Sequence, residues 1–292
     1  MNAILCAGAL ALASLVLPIA ADAGDAYTLS LTRGSRLMIA ARINGHPVRA
    51  LLDSAAEATL LNREFARQLH LGEATVVEGH GSGEAAFEAS LVKGVELSAL
   101  GLILPDQTVA IADLTDVGQR LLGGRIEVIL GREIFDAARI SIDIDARRIG
   151  ILPPQRQPAG MRLDLVTEHG VETIPVRIEG GEPVRATFDL GNGSQVMIGA
   201  AFAARSALLN DGRKIGTTRG GGLGGETTRQ VFTLKSLEVA GRRFSGVRAA
   251  IDAEPSASDA NIGVSVLRHF LITTDYANHA VWLEPRRSRR RN

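Results

Sequence analysis

The chain has 292 residues, of which 46% are hydrophobic, 22% charged and only 4% aromatic, a globular composition that excludes a disordered or fibrous protein. Acidic and basic residues balance at 32 each, but five arginines crowd into residues 286–292, so residues 24–285 carry a net charge of −4. A mildly acidic body excludes nucleic acid as the main ligand, and a short terminal run of arginines is expected to be a solvated, disordered tail.

Residues 3–20 are almost entirely apolar and lead into Ala21-Asp22-Ala23, the small-x-small pattern a signal peptidase accepts. The expectation is a leader, residues 1–23, cleaved after Ala23, which sends the mature chain to a periplasmic or secreted space with no stable membrane insertion. Because no Lys or Arg precedes the 18 apolar residues, a retained anchor is the alternative. Cys6, the only cysteine, lies inside this leader, so the mature chain would hold no thiol, disulfide or cysteine metal ligand.

Alternation over residues 37–43, the turn Asn44-Gly45 and a second apolar run over 48–52 predict a hairpin that runs straight into Asp53. A turn of small residues comes next, then a β run over 58–61 and a helix over 63–69 with Asn62 as its N-cap. Gly79, Gly81 and Gly83 lie in a glycine-rich segment between polar strands. Residues 128–131 open a short helix, and strands are expected over 140–144 and 148–151. Three prolines in residues 152–160 then read as a linker.

Beyond the linker the same series returns: strands over 174–178 and 184–188, Asp189, a β run over 195–198, a helix over 200–208, and a glycine-rich segment with Gly220, Gly222 and Gly225. The close is the same too, with 261–263 opening a short helix before strands over 271–276 and 280–283. Pro-Val-Arg-Ala occurs at both 47–50 and 183–186, and from Gly131/Gly263 onward the two halves stay 132 positions apart without a gap. The chain is a duplication. Lobes are expected over 24–152 and 161–285, joined by a linker over 153–160.

Two aspartates at matching points of two similar lobes can face each other across a pseudo-two-fold axis. Carboxylates that close share one proton, which supplies a base and an acid at one pH. The base activates a bound water against an amide carbonyl and the acid protonates its oxygen, a route that needs no metal or cofactor.

In these features the chain resembles the retropepsin-like aspartyl proteases, and is similar to tandem, single-chain, exported bacterial members. In that family each lobe carries two hydrophobic residues followed by Asp-Thr/Ser-Gly, a flap hairpin bearing glycine, and a later hydrophobic-hydrophobic-Gly that supports the aspartate loop. Here these correspond to 51–55, the flap around Gly81 and 129–131, then to 187–191, the flap around Gly222 and 261–263. The resemblance implies a mostly β fold of two small barrels with short helices, a cleft between them, and catalytic Asp53 and Asp189. It also implies dyad loops built from Ser54, Ala55, Leu190, Gly191, Gly131 and Gly263, flaps at 79–83 and 220–225, and an extended peptide as substrate. Two departures stand out: Ala55 replaces the loop glycine, and Leu190 replaces the hydroxyl residue of a cross-lobe hydrogen-bond lattice. The function expected is therefore an aspartic-type endopeptidase, with a non-catalytic protein that kept the cleft to bind peptide or a partner as the alternative. Duplication within one chain removes the need to dimerise, so a monomer is expected.

Other signals read as structural. A lone aspartate after a strand usually caps a turn, and only the repeated context lifts Asp53 and Asp189 above that. Asp143 and Asp275 are expected to serve turns or solvent. Residues 220–225 match Gly-x-Gly-x-x-Gly, but residues 226–234 alternate like a strand, whereas dinucleotide binding needs a helix there. The six histidines have no metal-ligand spacing. Ser82 is out of register for a hydrolase nucleophile elbow.

Overall fold

The computed structural model describes residues 26–79, 81–83, 85–254 and 257–286. The expected leader with Cys6, His80 of the first glycine-rich segment, and the arginines after Arg286 lie outside these residues.

The alternation in each half closes a ring of six strands. In the first lobe Leu37–Ile43 pairs with His46–Leu52, then Val128–Leu130, Leu60–Asn62, Leu102–Ala112 and Phe87–Ala99, which returns to Leu37–Ile43. Leu37, Ile39, Ala41 and Ile43 point into the main core, while Met38 joins Leu51 and Ile129 in a smaller apolar cluster on the other side of the sheet. The second ring runs in the same order through Val171–Ile178, Pro183–Phe188, Ala260–Ile262, Val196–Gly199, Arg242–Asp252 and Thr227–Val239. Each ring contains one long hairpin of a 13-residue and an 11-residue strand, turning at Leu100-Gly101 or Ala240-Gly241 with positive φ at all four residues. Asn62 caps the helix Arg63–Gln68 as expected, accepting from the N–H of Glu64 at 2.9 Å.

The strands expected near the end of each half do more than close their own lobe. Ile140–Asp143 pairs antiparallel with Phe270–Asp275 across the lobes, at the centre of a six-stranded sheet flanked by Arg148–Ile151 and Tyr27–Thr28 on one side and Ala280–Pro285 and Met161–Asp164 on the other. Ser141 faces Thr273 in that register, and these two residues occupy equivalent positions of the two halves. The pseudo-two-fold axis therefore passes between them, and the shared sheet fixes one lobe against the other.

Asp275 serves the turn expected of it, accepting from Asn278 Nδ2 at 2.9 and 3.0 Å, but it does not face solvent. It is buried at 4% exposure and accepts from Arg139 Nε and Nη2 at 2.9 and 2.7 Å. A buried carboxylate needs such a partner, and here it links the two lobes. Asp143 does cap a turn, accepting from the N–H of Ala146 at 2.7 Å, and it also pairs with Arg286.

Candidate active site

Each aspartate ends a strand at the edge of a parallel pair. Residues 50–52 run parallel to 128–130 and residues 186–188 parallel to 260–262. The last hydrogen bond of each pair comes from the aspartate itself: Asp53 N–H donates to Leu130 O and Asp189 N–H to Ile262 O, both at 3.0 Å. Gly131 and Gly263 come directly after those carbonyls, and each lies under a dyad loop. A Cβ on Gly131 would come within 3.0 Å of the backbone of Ala58 and Thr59, and one on Gly263 would collide with Asn192. Both glycines are thus required by close backbone approach.

The two loops interlock. Ser54 Oγ reaches across to donate to Phe188 O at 2.8 Å and to accept from Leu190 N–H at 2.9 Å. Both partners flank Asp189, so one hydroxyl bridges the lobes through fully buried groups. Leu190 offers no reciprocal hydroxyl and packs into the core instead. Tyr276 supplies a donor on that side: its phenol, buried and stacked on Phe135 at 5.2 Å, donates to Ser54 O at 3.3 Å. Burial pushes the phenol pKa up, so it remains a donor.

Gly191 brings the aspartates together. A Cβ there would fall less than 3.0 Å from Cγ of Asp53, so the carboxyl of Asp53 rests on the loop that holds Asp189. Ala55, the counterpart of Gly191, keeps its backbone duty and donates its N–H to Asp53 Oδ1 at 2.9 Å. Both aspartates are half-buried, open to water on one side and packed by protein on the others.

Electrostatics couples the pair and raises both members. Burial raises Asp53, the charge of Asp189 raises it further, and only the N–H groups of Ala55 and Ala56 and the charge of Arg36 oppose them, leaving it at about 7. Burial also raises Asp189, but a stronger set of donors works against it. Asn261 Nδ2 donates to its Oδ2 at 2.7 Å and the Asn192 N–H to its Oδ1 at 2.8 Å, with Arg36 and the Gly191 N–H adding to them. Asn261 is itself oriented by Asn192 Nδ2 at 2.8 Å. The corresponding residue of the first lobe, Ile129, has no donor. That loop is steadied by Glu133 instead, which accepts from the N–H and hydroxyl of Thr59 at 2.7 and 2.8 Å. Both carboxyls thus hold a proton more tightly than a free aspartate, and the fuller set of donors surrounds Asp189.

The glycine-rich segments meet at their tips. Gly83 N–H donates to Leu223 O at 2.8 Å and Ala85 N–H to Gly224 O at 2.9 Å. Gly81 lies against Leu223, and Gly222 against Ser82. Gly79 lies on the ring of Phe87, and Gly220 begins the turn before Gly225, which has a φ of +100°. Arg120, from the first-lobe helix Thr115–Leu122, donates to Gly221 O at 3.0 Å and Gly222 O at 2.7 Å. Leu223 packs onto the small apolar cluster of the first lobe. Beyond Gly225 the chain enters the strand Thr227–Val239, not the helix a dinucleotide site needs.

All the residues expected at the dyad and flaps thus converge in two places. Arg36, Asn261, Tyr276, Thr59, Glu133 and Arg120 are not singled out by the sequence. Asn261 alone leaves a signal there, as a polar residue in an otherwise apolar pair before a supporting glycine.

A family model described as aspartyl protease matches the chain twice, over residues 39–134 and 174–266, which together make up more than half of it. No curated protein matches the chain. With two matches in tandem, one on each ring and each containing one aspartate of the pair, the chain belongs to the aspartyl protease family as a single-chain, two-lobed, retropepsin-like member.

Proposed function

We propose that the protein is an aspartic-type endopeptidase that cleaves extended polypeptide, using Asp53 and Asp189 and no metal. Asp189, ionised, accepts a proton from a water held between the two carboxyls as the water oxygen bonds to the scissile carbonyl carbon. Asp53 gives its proton to the carbonyl oxygen. As the resulting diol collapses, the C–N bond breaks, the leaving nitrogen takes up the proton Asp189 accepted, and one diol hydroxyl returns a proton to Asp53, which leaves a carboxylic acid, an amine and the dyad in its starting state. The flaps at 79–83 and 220–225 close over the chain, whose backbone pairs with them as an added strand. The observation that carries this reading is the apposition of Asp53 on Gly191 within loops locked by Ser54, together with the raised affinity of both carboxyls for a proton.

A second reading has its own support. Leu190 leaves the cross-lobe lattice with one bridging hydroxyl instead of two, as expected of a cleft retained for binding alone. Cleavage of a mixed peptide library from pH 3 to 8, beside Asp53→Asn and Asp189→Asn, separates the two. The proposal requires cleavage by the parent and its loss in both variants. Peptide binding without cleavage at any pH would establish the binding reading instead.

The leader pattern supports export to a periplasmic or secreted space with cleavage after Ala23, which N-terminal sequencing of the exported protein tests. Among the described residues no helix is long and apolar enough to cross a membrane. Because one chain supplies both aspartates, the active form is proposed to be a monomer, a point for sedimentation to check.

A further inference from the structure

Arg36 is a buried charge beside the dyad that the proposed reaction does not use. It ends a tight turn in which its N–H donates to Thr32 Oγ1 at 3.0 Å, immediately before the strand Leu37–Ile43. Its side chain crosses to the second lobe and lies against Gly193, where a Cβ would be 2.8 Å from Nη1. Gly193 is two residues beyond Gly191, on which the carboxyl of Asp53 rests. Arg36 is only 7% exposed, and its Nε and Nη1 are fully buried with no hydrogen-bond partner among the described residues.

The duplication shows what is missing. Glu172 stands to Asp189 as Arg36 stands to Asp53, 136 positions later, and it too is buried. Glu172 has partners on one oxygen, Oε1, from which Arg132 of the first lobe lies 3.7 Å away and to which Thr167 donates at 2.8 Å, while its Oε2 has none among the described residues. The counterpart of Arg132, 132 positions on, is Val264, and the residue facing Arg36 is a glycine. A buried guanidinium with idle donors is unfavourable for the free protein and is held there only by the surrounding fold. Its five N–H groups in a rigid fork match a carboxylate. A peptide lying across the dyad is the available source of one.

We propose that Arg36 is a specificity-determining residue that receives a carboxylate of the substrate, so that the cleft selects peptides bearing an acidic group close to the scissile bond. The group is either an Asp or Glu side chain or the free C-terminus of a short peptide. The proposal rests on the peptidase reading for its turnover measurements, and on the cleft alone for its binding measurements.

The test uses matched peptides with Glu or Gln at each position flanking the cut, each made as free acid and as C-terminal amide, against the parent, Arg36→Met and Arg36→Lys. The parent is expected to favour the acidic member at one position by about tenfold or more in kcat/KM, the worth of one charge-assisted pair, with most of the difference in KM. Arg36→Met should level the two within about twofold, and Arg36→Lys should keep part of the preference. A preference that tracks Glu against Gln assigns the side chain, and one that tracks acid against amide assigns the C-terminus. Binding of the same peptides to Asp53→Asn, with and without Arg36→Met, decides the matter even if nothing is cleaved. Equal affinity for acidic and neutral peptides, or no binding of either, overturns the proposal. Two donors of Arg36 lack hydrogen-bond partners, but its charge acts on both aspartates in the free protein, so melting is read together with the acid preference and not alone. A lower melting temperature in Arg36→Met, with the acid preference intact in Arg36→Gln, would mark Arg36 as a structural group and overturn it as well.

Discussion

Replacing Asp53 by Asn should stabilise the protein while abolishing cleavage, and the gain should depend on pH in a defined direction. The Asp53 carboxyl is raised from 3.8 to about 7, by burial first and by the charge of Asp189 second. Between those values the folded protein holds a proton that the unfolded chain has released. The stability tied to this group is therefore fully present below pH 3.8 and is lost progressively up to about pH 7. A shift of that size corresponds to on the order of 4 kcal/mol, reduced to about 2–3 kcal/mol because water reaches the half-buried carboxyl. Asn has the same shape and no charge to desolvate. Asp53→Asn should thus exceed the parent by about 2–3 kcal/mol at pH 7.5, with the difference shrinking toward zero as pH falls to 4. Urea midpoints at pH 7.5, 6 and 4.5, compared at constant m, measure it directly. A variant less stable than the parent at pH 7.5, or a gain that does not shrink in acid, would refute the account of a strained, proton-sharing pair.

Three further substitutions probe the parts around the dyad. Gly191→Ala places a methyl against Cγ of Asp53, and should destabilise by about 1–3 kcal/mol and reduce cleavage at least about a hundredfold, read by melting and by kcat/KM. Asn261→Ile removes the donor to Asp189 Oδ2, so the carboxylate loses a bond worth about 1.5–3 kcal/mol and its pKa rises. In the proposed mechanism Asp189 acts as the base and must be ionised, so the acidic limb of the kcat/KM profile should move up by about one pH unit or more, and an unmoved limb would show that Asn261 does not tune it. Arg120→Met cuts the two bonds to Gly221 O and Gly222 O, and should raise hydrogen exchange in residues 220–225 and lower kcat/KM several-fold, whereas unchanged exchange would mean the tips hold themselves.

The dyad is legible in the sequence because duplication writes it twice. Pro-Val-Arg-Ala sets the register of Asp53 and Asp189, and the glycines at 131 and 263 mark where backbone must pass under backbone. The inward and outward faces of the rings are legible from alternation at residues such as Leu37, Ile39 and Ala41. The shared sheet is not legible, because the pairing of Ile140–Asp143 with Phe270–Asp275 joins segments more than a hundred residues apart and leaves no local trace. The burial of Asp275 is hidden for a related reason. Its neighbours Asn278 and His279 form a turn, and the partner that makes its burial tolerable, Arg139, belongs to the other lobe. Arg36 is invisible because an arginine at the edge of a strand reads as exposed, and only the tertiary fold turns it inward.

What separates this pair from a symmetric one is where the two lobes differ. Two identical lobes would place the same donors around each carboxyl, and neither could be assigned the proton before substrate arrives. Here Asn261 faces Asp189 where Ile129 occupies the first lobe, and Ser54 bridges to Phe188 and Leu190 with no return from Leu190. Gly191 lets Asp53 rest on the second loop, and its counterpart is Ala55. Each difference is available only to a chain that encodes its halves separately. Their combined effect is to give Asp189 more hydrogen-bond donors than Asp53, the asymmetry on which the proposed assignment of base and acid rests. Leu190 then need not signal decay. In a duplicated chain one bridging hydroxyl, backed by Tyr276 and the shared sheet, holds two loops that a pair of separate subunits would have to hold by the bridge itself.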